Sequence, residues 1–255
     1  MRIPYVIGEA GSCHDGSLDR ALELVQIAKS AGCDAVKFQW WSSPDRMRTR
    51  RHMTFKEGAY DKGSISHEWF TPLREAAHTA GLHFLCTVYL PEDVVDLVPQ
   101  VDGVKVASFE SRDKELMREV NHGTPDTKPI FVSSGMQDVW DAPLIRRAIR
   151  MHCVSAYPCP YDQANLGAIE RGMGYSDHTC RLDTGAYAVS AGANYLEVHF
   201  RAWDTHPENP DVCVSHDPQG LEEYVMRART AAVMRGDGRK KPQPAEEESM
   251  KWRVR

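Results

Sequence analysis

The sequence predicts a single (β/α)8 barrel. Three observations carry that expectation: eight short apolar runs recur along the chain, each is followed by a stretch with helical spacing or helix-capping residues, and 255 residues with 42% apolar side chains suffice for one large α/β domain. A doubly wound open sheet is the other architecture that such alternation allows. The barrel is expected over residues 1–236, and the charged, proline-containing remainder at 237–255 reads as a tail or linker.

The first run, YVIGE at 5–9, closes on the turn-like GSCHDG, and Leu22, Val25 and Ala28 then mark a helix over 18–31 that Gly32 stops. AVKFQ at 35–39 is the second run and sets Lys37 and Gln39 on one face. Between positions 40 and 65 no clean period holds, and the stretch is rich in arginine (Arg46, Arg48, Arg50, Arg51); its 26 residues are long enough to form a lid over a site. A helix over 66–80 follows, with Ser66 as N-cap and Gly81 just past its end. The same beat continues with HFLCTV before a helix over 91–98, GVKVAS before 112–121, and PIFVSSG before a short helix within 138–148. The last three units are IRMHCVS with 161–170, GMGYSD with 180–191, and YLEVHF with 218–234.

Composition narrows the function classes. A formal charge of −5 and a pI near 6.1 lack the basic footprint of a nucleic-acid binder, so small-molecule substrates fit better. No apolar run reaches the roughly 18 residues that a membrane span requires, and MRIPYVIGEAG has no signal-peptide h-region, which together lead to the expectation of a cytoplasmic protein. Seven scattered cysteines without a C-x-x-C spacing make neither a disulfide framework nor a zinc knuckle.

Barrel active sites lie at the C-terminal strand ends, and the polar residues there are chemically selective. In GYSDH and YLEVHF, period 2 places Ser176 with His178 and Glu197 with His199, so two imidazoles leave consecutive strands as a divalent-metal site would need. Lys37 and Lys105, ringed by Thr87, Ser108, Ser133, Ser134 and Ser155, form an anion cradle suited to phosphate or carboxylate. The same lysines could instead pair internally with Glu9 and Glu110, or one could serve as a Schiff-base amine, which would make a two-histidine metal redundant.

The segments GEAGSCHDG, AGCDAVKFQ, GVKVASFE, PIFVSSGM, MHCVSAYPCPYDQANL, GYSDHT and GANYLEVHF resemble, in order and spacing, the barrel domain of the sialic acid synthase (N-acetylneuraminate synthase) family. That resemblance implies a condensation of phosphoenolpyruvate with the open-chain aldehyde of an N-acylated hexosamine, assisted by a divalent metal, Mn2+ ahead of Mg2+ or Co2+. It implies metal ligation by His178 and His199, and a phosphoenolpyruvate pocket of Lys37, Thr87, Lys105, Ser108, Ser133, Ser155 and Ser176. Glu9, Gln39, Glu110, Tyr157 and Asp211 are implied as the sugar-facing and proton-handling set.

The chain departs from the family pattern with Cys13 before His14, where N-H-x-G is usual, and with Ser155 where an Asn is usual. It also reaches its linker where the family continues into a C-terminal antifreeze-like domain. The lid at 40–65, with Trp40, Trp41 and its arginines, is expected to cover the acceptor; a homodimer mate or a separate partner protein is the other source of the missing contacts. Two competing functions follow: a 3-deoxy-ulosonate phosphate synthase whose lid arginines grip an aldose phosphate, or a non-catalytic barrel that binds a sugar or a partner.

Overall fold

Alternation along each apolar run decides which side chains face the helices and which face the barrel interior. The computed structural model describes residues 3–51, 59–137, 145 and 147–254. Its strands are β1 (Tyr5–Gly11), β2 (Ala35–Trp40), β3 (His83–Val88), β4 (Gly103–Val106), β5 (Ile130–Ser134), β6 (Ile149–His152), β7 (Gly174–Asp177) and β8 (Tyr195–His199). All eight pair in parallel and in sequence order, and β8 pairs with β1, so the sheet closes as the sequence predicts.

Outward side chains such as Val6, Val36, Phe38, Phe84, Val132 and Leu196 join the main core with Leu24, Leu73, Leu116 and Val225 from the helices. Each such side chain contributes roughly 1.5–3 kcal/mol on burial. Inward, Ile7, Ala35, Leu85, Phe131 and Met151 plug the N-terminal end of the barrel. Two residues further along each strand the interior turns polar. Register then sets Glu9 beside both Lys37 and His199, Thr87 beside Lys105, and Ser176 beside Glu197.

The outer ring is uneven. Ser17 accepts from Arg20 N to start α1 (Leu18–Ser30), whose Leu24, Val25 and Ala28 are buried. The segment after β2 carries two short helices, α2 (Pro44–Arg51) and α3 (Ala59–Lys62), ahead of α4 (Phe70–Thr79). Ser66 makes no side-chain cap, and a 3-10 turn, His67–Trp69, leads into α4 instead. The helix expected over 91–98 is broken into a 3-10 turn, α5 (Val94–Leu97) and a second 3-10 turn, in which Pro99 lacks the N–H that would continue α5. Asp113 caps α6 (Lys114–Gly123) through Glu115 N and Leu116 N.

The short helix expected within 138–148 falls largely on 138–144 and 146, outside the described residues. After β6 the expected helix over 161–170 is replaced by two 3-10 turns, Tyr161–Gln163 and Leu166–Ala168. Asn165 sits between them with φ +46°, a left-handed conformation that stops helix propagation and that asparagine tolerates. The last helices are α7 (Thr184–Ala191) and α8 (Pro218–Arg235), the second capped by Asp217 with Pro218 in its first turn. Beyond α8 lie two exposed 3-10 turns, Pro244–Glu246 and Ser249–Trp252. Among the described residues no helix is long and apolar enough to cross a membrane.

Candidate active site

The inward polar layer closes into one buried charge cluster. Lys37 Nζ lies 2.6 Å from Glu9 Oε2 and 3.6 Å from Glu197 Oε2, and it donates to Thr87 Oγ1 at 2.7 Å. Lys105 Nζ donates to the two Glu197 oxygens at 2.7 and 3.0 Å, and Ser176 Oγ donates to Glu197 Oε1 at 2.7 Å. None of the four charged side chains is more than 4% exposed. At that depth an ammonium persists only with a counter-charge beside it. Burial alone would lower Lys37, but Glu197 and Glu9 outweigh it and the net shift is upward. Burial would likewise raise Glu197, yet Lys105 and Lys37 hold its carboxyl well below the usual range. At Glu9 burial prevails over the pull of Lys37, and the carboxyl is raised.

Internal pairing of the lysines was one expectation, and half of it holds. Lys37 takes Glu9 as anticipated, but Lys105 takes Glu197 in place of Glu110. The reason is position: Glu197 is on the inward face of β8, whereas Glu110 sits in the turn beyond β4, where its backbone N donates to Ala107 O.

Two imidazoles stand above the cluster. His178, just past β7, donates from Nδ1 to Val154 O at 2.7 Å, which leaves the Nε2 lone pair available. His199 ends β8, and the two ring centroids are 5.4 Å apart. The Tyr157 ring lies 4.1 Å from that of His178 and 6.1 Å from that of His199. Burial, helped by the neighbouring His199, pushes His178 down to about 3, and burial lowers His199 too. Both rings are therefore neutral near pH 7, the state in which imidazole ligates metal, and a carbonyl-fixed tautomer is typical of such ligands. His199 Nδ1 is buried and has no hydrogen-bond partner among the described residues. The pair fits a divalent ion with open coordination positions; among the described residues no group of three or more His, Cys, Asp and Glu side chains is arranged to hold one.

Asp211 reaches the site from the loop after β8. Its Oδ2 accepts from the backbone N of Ser12 at 2.7 Å and from Ser12 Oγ at 2.6 Å. Gly11 permits this approach: its φ is +51°, and a Cβ there would run into Asp211 Oδ2.

These groups border a cavity of about 220 Å³. Its outer wall is aromatic and apolar, with Trp41, Met47 and Tyr60 from the lid and Tyr89, Phe109 and Tyr157 from the strand-end loops. Gln39 braces the lid, donating from Nε2 to Gly63 O at 2.9 Å and accepting from Tyr89 OH at 2.8 Å. Three of the lid arginines face away. Arg46 pairs with Glu92 at 2.8 Å, Arg48 with Asp45 and Asp61, and Arg50 with Asp113. None of these three borders the cavity, and the Arg51 side chain lies outside the described residues. Trp40 turns outward from the barrel, packing against Phe70 with centroids 5.3 Å apart, so of the two tryptophans only Trp41 borders the cavity.

Of the site residues expected from sequence, Glu9, Lys37, Gln39, Thr87 and Lys105 border the cavity, and so do Ser108, Ser133 and Ser176. Tyr157, His178, His199 and Asp211 complete that set. Ser155 stands behind the wall and donates to Ser108 Oγ at 2.7 Å, while Glu110 is buried outside it. Glu197, the partner of both lysines, was absent from the expected substrate set although the alternation in YLEVH places it on the face of His199. Ser12, Met47 and Tyr60 carry no motif that a single sequence would reveal.

Comparison with known proteins gives consistent results. A family model described as the NeuB family matches residues 24–240. An uncharacterized protein of Methanocaldococcus jannaschii is 34% identical, over 95% of this chain and 75% of its own length. The N,N'-diacetyllegionaminic acid synthase of Legionella pneumophila is 29% identical, over 93% of this chain and 75% of its own. The crystal structure of N-acetylneuraminic acid (sialic acid) synthetase from Leptospira borgpetersenii, in complex with citrate, superposes with a TM-score of 0.86 over 99% of this chain and 91% of that one; at 24% identity this is likeness of fold.

Proposed function

The chain belongs to the NeuB family, and from that premise we propose that it joins phosphoenolpyruvate to the open-chain aldehyde of an N-acylated hexosamine and releases inorganic phosphate. The observation that carries this conclusion is the meeting, in one cavity, of two buried ammoniums, a ring of hydroxyls and two neutral imidazoles. Phosphoenolpyruvate is a compact polyanion with a phosphate and a carboxylate to hold. Lys37 and Lys105 supply charge, and Thr87, Ser108, Ser133 and Ser176 supply short, orientable donors on the same cavity wall. Ser155 steadies Ser108 from behind.

His178 and His199 would hold the divalent ion, for which manganese suits the imidazole nitrogens better than magnesium does, and cobalt is also compatible. Once bound, such an ion supplies Lewis acidity toward the aldehyde oxygen. The protein's own groups set the geometry for carbon–carbon bond formation. The lysine cradle holds the enol carbon toward the imidazoles, and the cavity limits the water around both reactants. The C3 carbon of phosphoenolpyruvate bonds to the aldehyde carbon, whose oxygen takes a proton; water adds at C2, and phosphate departs by cleavage of the C–O bond. Glu9 and Asp211 are the cavity carboxyls placed to orient sugar hydroxyls and to move those protons, with Gln39 and Tyr157 as neighbouring polar contacts.

A coupled phosphate-release assay tests the proposal. Phosphate should appear when phosphoenolpyruvate and an N-acyl hexosamine are both present, and not with either alone. Release from phosphoenolpyruvate alone, or silence across a panel of such sugars, contradicts it. The aldose phosphate alternative is not favoured, because Arg46, Arg48 and Arg50 are engaged with carboxylates away from the cavity.

A further inference from the structure

We propose that the outer wall of this cavity is a specificity element: Trp41, Met47 and Tyr60 receive an uncharged, methyl-bearing substituent of the acceptor, and the same surface rejects an acceptor phosphorylated at its far end. This rests on the condensation proposed above and deepens it. The cavity is divided by polarity. Among the described residues its only lysines or arginines are Lys37 and Lys105, both deep in the barrel and bound to glutamates. An acceptor whose aldehyde lies near those lysines and the imidazoles directs its other end outward, to the aromatic and thioether wall.

The wall is preset. Met47 is the sole apolar side chain of α2, PDRMRTRR, and it is 1% exposed. At 100° per residue, the helix turns Met47 toward the cavity while Arg46 and Arg48 point to outer carboxylates. Trp41 Nε1 donates to Tyr60 O at 2.9 Å, and the Trp41 ring meets those of Tyr60 and Tyr89 edge-on at 5.8 and 5.3 Å. The Arg50–Asp113 pair and the Gln39–Gly63 hydrogen bond tie the lid to the barrel on either side. Each acyl or deoxy methyl buried there should strengthen productive binding about fourfold. A phosphate dianion pressed against the wall would lose hydration without gaining a cation from the described residues, and should lower kcat/KM by about tenfold or more.

The test measures kcat/KM for phosphoenolpyruvate-dependent phosphate release by the full chain with three acceptors: N-acetylmannosamine, a 2,4-diacetamido-2,4,6-trideoxyhexose and N-acetylmannosamine 6-phosphate. The diacetamido sugar should rank first and the phosphorylated sugar last. Met47→Arg should shift the ratio of these two toward the phosphorylated sugar by about tenfold, with phosphoenolpyruvate affinity in calorimetry unchanged. If arginine unfolds the lid, as a lowered melting temperature would reveal, Met47→Gln should shift the ratio in the same direction by a smaller factor. Equal turnover of phosphorylated and acylated acceptors, or an unshifted ratio in the folded variant, overturns the inference alone. Silence with every acceptor overturns the condensation and the inference with it.

Discussion

Replacing Lys105 with alanine separates the two tasks of the charge cluster, holding the barrel interior together and holding an anion. The Glu197 carboxylate is 2% exposed and takes both of its short ammonium contacts, 2.7 and 3.0 Å, from Lys105. Removing one member of a buried pair costs about 3–5 kcal/mol, because the other charge stays behind without its partner. Lys37 at 3.6 Å and Ser176 at 2.7 Å still face Glu197, so the loss should fall near the lower end, about 3 kcal/mol. Urea unfolding followed by circular dichroism measures it. Glu197→Gln should cost a comparable amount, and the double variant should recover part of the sum, with a coupling of about 2 kcal/mol. Calorimetric titration with phosphoenolpyruvate reads the second task. A withdrawn charge-assisted contact of about 1.5–3 kcal/mol weakens binding by roughly 10- to 150-fold. Lys105→Ala with wild-type phosphoenolpyruvate affinity would refute the cradle and leave Lys105 as a structural partner of Glu197.

Further outcomes follow from the same geometry. His178→Ala and His199→Ala should each abolish the 1:1 binding of Mn2+ to chelator-treated protein, read by calorimetry, because each imidazole supplies a large share of the protein's ligands; undiminished binding in the double variant removes the metal assignment. Gly11→Ala should destabilise the protein by about 1–3 kcal/mol in urea unfolding, since alanine disfavours φ +51° and its Cβ meets Asp211; a neutral substitution would show that Asp211 is not seated as described. His14 is fully buried, and burial pushes it down to about 4 from 6.5. Its folded pKa lies below its unfolded one, so its contribution is complete above pH 6.5 and is lost as pH falls toward 4, by about 2 kcal/mol at pH 5. His14→Gln should flatten that part of the stability profile, and an unchanged slope between pH 7 and 5 contradicts the assignment.

Strands such as β2 were legible because they are short apolar runs buried on both faces, so residues such as Val36 and Phe38 announce themselves without an alternating solvent side. Helix α1 was legible for a different reason, the helical spacing of Leu22, Val25 and Ala28 with Gly32 past its end, whereas the caps Ser17 and Asp217 emerge only in the structure. The turns at 161–168 were not. Their composition permits a helix, and only the left-handed Asn165, a tertiary choice, breaks it. Helix α2 was also hidden, because ion pairs at Arg46, Arg48 and Arg50 tie it down and Met47 is its single apolar side chain. In the site, period 2 was enough to bring Lys37, Ser176 and His199 to one end of the barrel. It could not say that Lys105 would choose Glu197 over Glu110, since partners across the interior depend on the stagger of the closed sheet, which no single strand encodes.

The central claim, condensation of phosphoenolpyruvate with a sugar aldehyde in this cavity, is tested most directly by isotope. Phosphoenolpyruvate labelled with ¹⁸O at the bridging position is turned over with an N-acyl hexosamine, and both products are weighed by mass spectrometry. The account predicts an acid three carbons longer than the sugar, formed in step with inorganic phosphate that carries the label. Label retained in the acid, or phosphate formed without any elongated sugar, would contradict it.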